Sequence, residues 1–307
     1  MGKKRSAEAE SDSEYDESVD QSFASVDTNA AVDVSDDENN GEGEEQEIVN
    51  VDFDFYDPKE IDFHAIKNLL RQVLDADNIT FDLSALADLV LESPGTTIKV
   101  DGEESDPFAL LSVVDMKKNS TKDVMKQLRD YFILQTSKNP EFNRKLRQLF
   151  SANASIGLVV AERLINMPIE VIPPMYRIYL KEHALAKSRE STKDSTPEYD
   201  YYLIVSKSFT EEQSKLDSEE RRPLKKGRGL TRRKETFYFH PEDEIFNANG
   251  LYNHSYKFRK QGSDADSKRA FQDMGIEATG HLILLSSDGF SKAIDQIEAK
   301  YPPPEEA

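Results

Sequence analysis

Acidic residues are concentrated at the front of this chain, and that distribution most constrains what the sequence can fold into. Residues 1–47 contain 16 Asp and Glu against 3 Lys and Arg, a net charge of −13, and residues 48–62 add a net −4. The whole chain carries −20, so the remaining 245 residues are close to neutral. A segment so charged cannot bury enough apolar surface to offset the loss of chain entropy. We therefore predict a disordered acidic tail at 1–47 and a folded domain at 48–307.

Composition excludes several classes of protein. The chain has no cysteine, which rules out disulfides, zinc–thiolate sites, iron–sulfur clusters and a cysteine nucleophile. No apolar run approaches the roughly 20 residues that span a bilayer, and no apolar stretch follows Lys3, Lys4 and Arg5 as a signal peptide would require. We expect no membrane insertion and a location in the nucleus, the cytoplasm or both.

Hydrophobic periodicity from residue 48 onward predicts a mixed α/β (α+β) domain. Strands are predicted at 49–55, 96–100, 108–114, 155–162, 199–206, 237–240, 251–258 and 282–286. Helices are predicted at 63–74, 83–91, 122–135, 141–150, 173–189 and 290–299, with Asp62 as the cap of the first. Strands and helices are interleaved, and two or three pairs of consecutive strands are joined by short turns. This order favours a single central mixed sheet flanked by helices.

Catalytic motifs are absent from the sequence. It contains no G-x-S-x-G, no G-x-x-x-x-G-K-[ST] and no G-x-G-x-x-G, and no two of its five histidines have the spacing of a helical zinc pair. Each histidine is expected at the surface or half-buried. Asp101, Glu103, Glu104 and Asp106 form an acidic hairpin loop that either holds a hard cation or is simply solvated.

A charged insertion at about 209–235 exceeds the ~12–15 residues of an ordinary loop. Its core, RRPLKKGRGLTRRK at 221–234, contains 8 Lys and Arg among 14 residues. We interpret this cluster as an import signal; pairing with the acidic tail or plain solvation are alternatives. Direct nucleic-acid binding is disfavoured, since no aromatic residue interleaves the cluster. The candidate import residues are Arg221, Arg222, Lys225, Lys226, Arg228, Arg232, Arg233 and Lys234.

Three serines of the tail have the spacing of acidophilic kinase sites. Ser11, Ser13 and Ser35 are each followed three positions later by an acidic residue, as kinases of the casein-kinase type require. Phosphorylation there would deepen the negative charge of the tail. Any acidic, serine-rich segment matches this pattern readily, so these serines are candidates only.

Several stretches together resemble the BCCIP family of eukaryotic nuclear proteins, in its fungal form. They are NVDFDFYDP (50–58), EIDFHAIKNLLRQVL (60–74), GTTIKVDGEESDPFALLSVV (95–114), GLVVAERLINMPIEVIPPMY (157–176) and FHPEDEIF (239–246). The resemblance implies a fold similar to that of the GCN5-related acetyltransferases, without their activity and without a cofactor. Those enzymes hold a pyrophosphate on an [RQ]-x-x-G-x-[GA] turn after the central strand. Here AERLINMPIEVIPP (161–174) contains no glycine, so the cradle is missing.

The resemblance also implies partners. Fungal members are associated with production of the large ribosomal subunit, with chaperoning of one of its proteins, and with nuclear export of a phosphatidylinositol-phosphate kinase. We expect a shuttling, non-enzymatic escort for a basic ribosomal protein that also meets import and export receptors. A transport adaptor for the kinase and a degenerate acyl-CoA binder are the alternatives. The candidate client-binding carboxylates are Asp36, Asp37, Glu38, Glu44 and Glu45.

Overall fold

The computed structural model describes residues 52–189, 198–211, 236–259 and 276–302. Its strands are β1 (Asp54–Tyr56), β2 (Gly95–Lys99), β3 (Ala109–Asp115), β4 (Ile156–Arg163), β5 (Tyr201–Glu211), β6 (Thr236–Tyr238), β7 (Tyr252–Tyr256) and β8 (Ile276–Ser286). Its α-helices are α1 (Phe63–Leu74), α2 (Leu83–Leu91), α3 (Asp123–Gln135), α4 (Pro140–Ser151), α5 (Ile172–Arg189), α6 (Glu242–Asn249) and α7 (Ser287–Lys300).

The eight strands form one mixed sheet, as the sequence predicted. Its order is β1-β2-β3-β4-β5-β8-β7, and the short β6 pairs with β5 off this path. Among the described strands, β4 and β5 make the one parallel pair; the other neighbours run antiparallel. A short loop joins β2 to β3, whereas α1 and α2 lie between β1 and β2, and α3 and α4 lie between β3 and β4. The parallel step from β4 to β5 requires a crossover, which α5 supplies.

Helices cover both faces of the sheet and give two core layers. Helices α1 to α4 bury one face, where Leu110 and Val114 of β3 point. Helices α5, α6 and α7 bury the other, where the neighbouring Leu111 and Val113 point. Because alternate residues of a strand face opposite sides, strands buried on both faces read as continuous apolar runs. This explains the long apolar runs of β3, interrupted at Ser112, and of β4 in the sequence.

The acidic residue predicted to cap α1 has a different role. Asp62 makes no side-chain hydrogen bond to the first turn of α1. Its carboxylate instead accepts 2.7 Å from Lys99 Nζ and 2.9 Å from the Lys59 backbone N–H, and both Asp62 and Lys99 are buried. A buried lysine must be paired, and this requirement overrides capping. Elsewhere Asp82 and Asn139 do cap α2 and α4 through their side chains.

Several elements differ from the sequence prediction, most notably two strands and one helix. Strand β5 extends to Glu211, past the predicted start of the insertion, and β8 begins at Ile276 rather than 282. Helix α6 was not predicted at all. Its buried residues include Glu242 and Asp243 as well as Ile245 and Phe246, so it lacks the apolar stripe that marks an amphipathic helix.

No helix in the described part of the chain has the length and apolar character needed to cross a membrane.

Candidate functional site

The two parallel strands at the centre of the sheet separate partway along their length. Strands β4 and β5 pair from Ile156 opposite Tyr201 as far as Val159 opposite Ile204. Strand β4 then continues to Arg163 without a partner on that side. Strand β5 continues to Glu211. Beyond the end of its pairing with β4, β5 pairs with β6 from Ser208 to Thr210. The separation leaves a cleft between the end of β4 and the middle of β5.

Charged side chains from the corner between β6 and α6 fill this cleft. The guanidinium of Arg163 on β4 binds both carboxylate oxygens of Glu242, and the Nη2–Oε2 distance is 2.9 Å. Both side chains are buried. This two-pronged geometry is the strongest form of a carboxylate–guanidinium contact, and it ties the end of β4 to the start of α6.

Glu162 is the second anion of the cleft. Its Oε1 lies 2.6 Å from His240 Nε2 and also accepts the Arg163 backbone N–H at 3.2 Å. Its Oε2 lies 2.8 Å from Lys207 Nζ on β5. Burial alone would raise the pKa of Glu162, but the contacts with His240 and Lys207 outweigh it, and the pKa is lowered. Glu162 therefore stays ionised and holds the two strands together across the cleft.

Two further groups have pKa values displaced by this environment. Burial raises the pKa of Asp243 from 3.8 to about 7, the neighbouring charge of Glu242 adds to the rise, and Ser206 Oγ donates to it at 2.5 Å. Burial alone would lower the pKa of His240, but the hydrogen bond and charge of Glu162 outweigh it, and the pKa is raised. Asp243 and His240 therefore both favour their protonated forms more than the free side chains do.

Little space remains in the cleft. A void of about 10 Å³ is lined by Ala161, Tyr176, Ile204 and Asp243 among other residues. That volume is at the lower limit for a single water molecule. Each charged group described above has a partner of opposite charge or a hydrogen bond. The arrangement joins β4, β5 and α6, and Glu162, Arg163 and Lys207 also line a groove of about 630 Å³ on the surface at the end of β4.

Most of the residues singled out from the sequence lie outside the described ranges. This holds for the client-binding carboxylates of the tail, the three serines and the eight import residues. The acidic loop is described: Glu103 pairs with Lys59, and its backbone carbonyl accepts from Lys99. Within the described ranges, no group of three or more histidine or acidic side chains is arranged to hold a metal ion.

Sequence reasoning missed the charged cleft. The expectation that every histidine is exposed or half-buried is wrong for His281, which is buried between Ser255 Oγ at 2.7 Å and Asn247 Oδ1 at 2.9 Å. Burial lowers the pKa of His281 to about 4. One signal was available for the cleft: Glu162 and Arg163 end an apolar strand, where charged residues need partners from elsewhere in the chain.

The fold and the filled cleft define a mixed α/β domain whose central strand separation is occupied by its own side chains. Comparison with known proteins gives the family. The sequence profile of the BCCIP family matches residues 48–246. Protein BCP1 of Yarrowia lipolytica is 43% identical over 98% of this chain and 97% of its own length. Protein bcp1 of Aspergillus fumigatus is 46% identical over 88% of this chain and 93% of its own length.

A solved structure agrees with these relatives. The crystal structure of BCP1 from Saccharomyces cerevisiae is 32% identical, covers 85% of this chain and 91% of its own, and superposes with a TM-score of 0.58. The chain belongs to the BCCIP family. The resemblance stated from the sequence motifs is thereby confirmed, together with a single mixed sheet flanked by helices.

Removing the carboxylate partner of Arg163 should strongly destabilise the domain. We expect Glu242→Gln to lower the free energy of unfolding by about 3–5 kcal/mol, because a buried guanidinium loses its counter-charge. Urea denaturation followed by circular dichroism measures the change. Glu244→Gln on the same helix is the matched control: Glu244 is 66% exposed and lies 3.6 Å from Lys300, so we expect at most about 1 kcal/mol. Equal losses in the two variants would contradict the account.

The raised pKa of Asp243 predicts how stability depends on pH. A group whose pKa is higher in the folded than in the unfolded chain stabilises the fold while protonated; that contribution is full below the unfolded pKa and lost as the pH rises through the folded pKa. For Asp243 the window runs from 3.8 to about 7. The free energy of unfolding of the natural chain, relative to Asp243→Asn, should fall as the pH rises from about 5 to 8.

The control for this measurement is the exposed Asp123, whose pKa is lowered by the hydrogen bond from Lys126. Asp123→Asn should therefore shift stability by a constant amount across the same pH range. Unfolding curves at four pH values for the three proteins are sufficient. A difference between the natural chain and Asp243→Asn that does not change with pH would refute the protonation of Asp243 in the fold.

Proposed function

We propose that this chain is a non-catalytic escort for a basic client, a ribosomal protein of the large subunit, and that it shuttles between nucleus and cytoplasm. The observation that carries the proposal is the filled cleft between β4 and β5. Glu162, Arg163 and the charged corner at 240–243 occupy the space that a substrate would need. A separation between strands that is filled by the chain's own side chains is suited to supporting a binding surface rather than to enclosing a substrate.

The strand arrangement also bears on the acetyltransferase comparison. We infer a common architecture from the order β1-β2-β3-β4-β5-β8-β7 with one parallel pair. The cofactor turn of those enzymes would follow β4. Here β4 is followed by residues 164–168, a 3₁₀ turn at Ile169–Val171 and then α5, with no glycine to let the backbone approach a pyrophosphate. These observations support a domain that has the architecture of the acetyltransferases but lacks their cofactor site.

The acidic tail supplies the physical reason for an escort. Ribosomal proteins carry arginine- and lysine-rich surfaces that bind any nucleic acid by releasing counterions. A tail with a net charge of −13 over 47 residues offers a substitute polyanion, and it would accelerate encounter with such a client. Handover to ribosomal RNA then follows by competition. The folded domain would supply specificity, since charge alone does not distinguish one basic protein from another.

The transport-adaptor alternative depends on residues 221–234 and gains no support from the described part of the chain. The acyl-CoA alternative is favoured by the strand order alone, and the filled cleft weighs against it. An escort is the function that the charge distribution and the cleft both support.

Neutralising the tail should weaken client binding and its dependence on salt. We expect a full-length chain with Asp36→Asn, Asp37→Asn, Glu38→Gln, Glu44→Gln and Glu45→Gln to retain less of its basic partner at ~100 mM salt. Affinity purification followed by mass spectrometry, with washes at ~100 and ~400 mM salt, measures the change. The natural chain should recover one ribosomal protein in stoichiometric amount and lose it at ~400 mM salt.

The matched control neutralises five carboxylates nearer the N-terminus: Glu8, Glu10, Asp12, Glu14 and Asp16. This variant has the same net charge and should retain more client if the candidate residues are correctly placed. Equal retention by the natural chain and both variants would remove the tail from the binding mechanism. Recovery of a mixture of abundant basic proteins by the natural chain would contradict the proposal of a dedicated client.

A further inference from the structure

The two ends of the central sheet are covered to different extents. Strand β7 lies at one end, where Asn139 at the start of α4 donates from Nδ2 to the carbonyl of Asn253 at 3.3 Å. Strand β1 lies at the other end, and no group in the described part of the chain bonds to the backbone on its outer side. An uncovered strand edge presents free backbone donors and acceptors to another extended chain.

The pairing of β1 with β2 shows which of its backbone groups are free. Ile98 on β2 is the register partner of Phe55, and its carbonyl accepts from the N–H of Phe108 on the β3 side at 2.8 Å. Backbone groups alternate in direction along a strand, so Asp54 and Tyr56 are the residues that bond to β2. Phe55 therefore directs its N–H and C=O away from the sheet. We call this outer side of β1 the open edge.

Carboxylates from β1 and from the acidic hairpin loop lie beside the open edge. Asp54 is exposed within β1 itself. Glu103 of the loop pairs with Lys59 just after the strand. The hydrogen bond with Glu103 raises the pKa of Lys59, and the charges of Glu104 and Asp57 add to the rise, which places both carboxylates near this lysine. A single paired cation therefore lies among four acidic side chains.

A fifth carboxylate comes from α5, which covers the opposite face of the sheet. Partial burial raises the pKa of Glu182, and the nearby charge of Asp57 adds to the rise. The neighbouring Lys99 is buried against Asp62 and cannot reach these groups. Within the described residues, four carboxylates at the open edge have no cation at ion-pair distance: Asp54, Asp57, Glu104 and Glu182.

The two faces of the open edge differ in chemistry. Phe53 and Phe55 pack against the core beneath α5 and stay partly exposed, whereas Asp54 points to the other face, since side chains alternate along a strand. A strand that paired with the open edge would place one row of its side chains beside Asp54 and the acidic loop. Its other row would lie beside the two phenylalanines.

Charge limits what can pair with this edge. A second copy of the chain would bring the same carboxylates against their equivalents, and like charges across neighbouring strands are destabilising. The acidic tail has a net charge of −13 and is repelled for the same reason. Charged residues on short edge strands commonly prevent such pairing between copies. A cationic strand would instead be attracted.

We propose that the open edge binds an extended segment of the basic client in which lysine or arginine alternates with apolar residues. The segment pairs with the backbone of Phe55, its cations meet Asp54 and Glu104, and its apolar side chains lie against Phe53. This inference rests on the proposed escort function and deepens it. The tail attracts any basic protein, whereas the open edge distinguishes clients by requiring a strand with this pattern.

The charge of the open edge can be removed without changing the tail. A full-length chain with Asp54→Asn, Asp57→Asn, Glu104→Gln and Glu182→Gln should bind a labelled peptide of alternating lysine and valine, about ten residues long, roughly tenfold more weakly than the natural chain. Fluorescence anisotropy at ~100 mM salt measures the affinity. The matched control neutralises four exposed carboxylates elsewhere: Asp88, Asp130, Glu141 and Asp288. Equal affinity of the two variants would overturn the proposal.

A second peptide separates strand pairing from charge. Alternating lysine and proline gives the same length and charge, but proline lacks the N–H and the backbone angles of a paired strand. We expect this peptide to bind the natural chain roughly fivefold more weakly than the lysine–valine peptide. Equal binding of the two peptides would show attraction without pairing and would also overturn the proposal.

The position of the bound peptide can be measured because the chain contains no cysteine. Full-length Asp54→Cys carries a single photo-crosslinker at the open edge, which should attach the lysine–valine peptide; Asp288→Cys is the control and should not. Attachment of residue 54 to a second copy, or to residues 221–234 of the same chain, would identify another occupant and overturn the proposal. These synthetic peptides test the edge independently of the escort role, which fails if the natural chain recovers no ribosomal protein.

Discussion

The contact between Arg163 and Glu242 is the interaction on which the centre of this structure depends. Two parallel strands that separate expose backbone and side chains on their inner edges, and something must fill the space between them. In this chain the space contains an ion pair, which the buried guanidinium of Arg163 on β4 forms with the buried carboxylate of Glu242 on α6. Such a pair holds its position only if both partners are present. The position of α6, and of the β6 corner before it, follows from this requirement.

The same contact limits the space between β4 and β5, where a void of only about 10 Å³ remains. The escort proposal therefore assigns binding to the outer surfaces and the charged segments. The chain has two strongly charged segments of opposite sign, the acidic tail and the basic run at 221–234. The escort proposal uses the first of these segments.

Much of the fold could be predicted because apolar periodicity records which face of an element is buried. Helix α1 was predicted with its observed bounds, and β3 within a residue. The failures share one physical cause, the burial of polar groups. The polar ends of β5 and β8 pair with each other through Ser208 and Thr279, 2.9 Å apart, so no apolar pattern marks those extensions. Helix α6 buries Glu242 and Asp243, whose partners Arg163 and Ser206 lie 79 and 37 residues earlier in the chain.

The candidate site itself could not be derived for the same reason. Charged residues such as Glu162 and His240 look like surface residues until the fold brings them within 2.6 Å of each other. No spacing rule along the chain connects them, since they belong to different elements. The absence of a cofactor turn after β4, by contrast, could be read from the sequence, because it concerns consecutive residues.

The most direct test of the central claim, that the cleft is filled and the domain acts by surface binding, is calorimetric titration of the full-length chain with acetyl-CoA. The account predicts no saturable heat at micromolar to millimolar ligand, for the natural chain and for a chain with Arg163→Met and Glu242→Leu, in which apolar side chains replace the ion pair. Saturable binding at micromolar concentration by the natural chain would show that the cleft opens, and it would contradict the account.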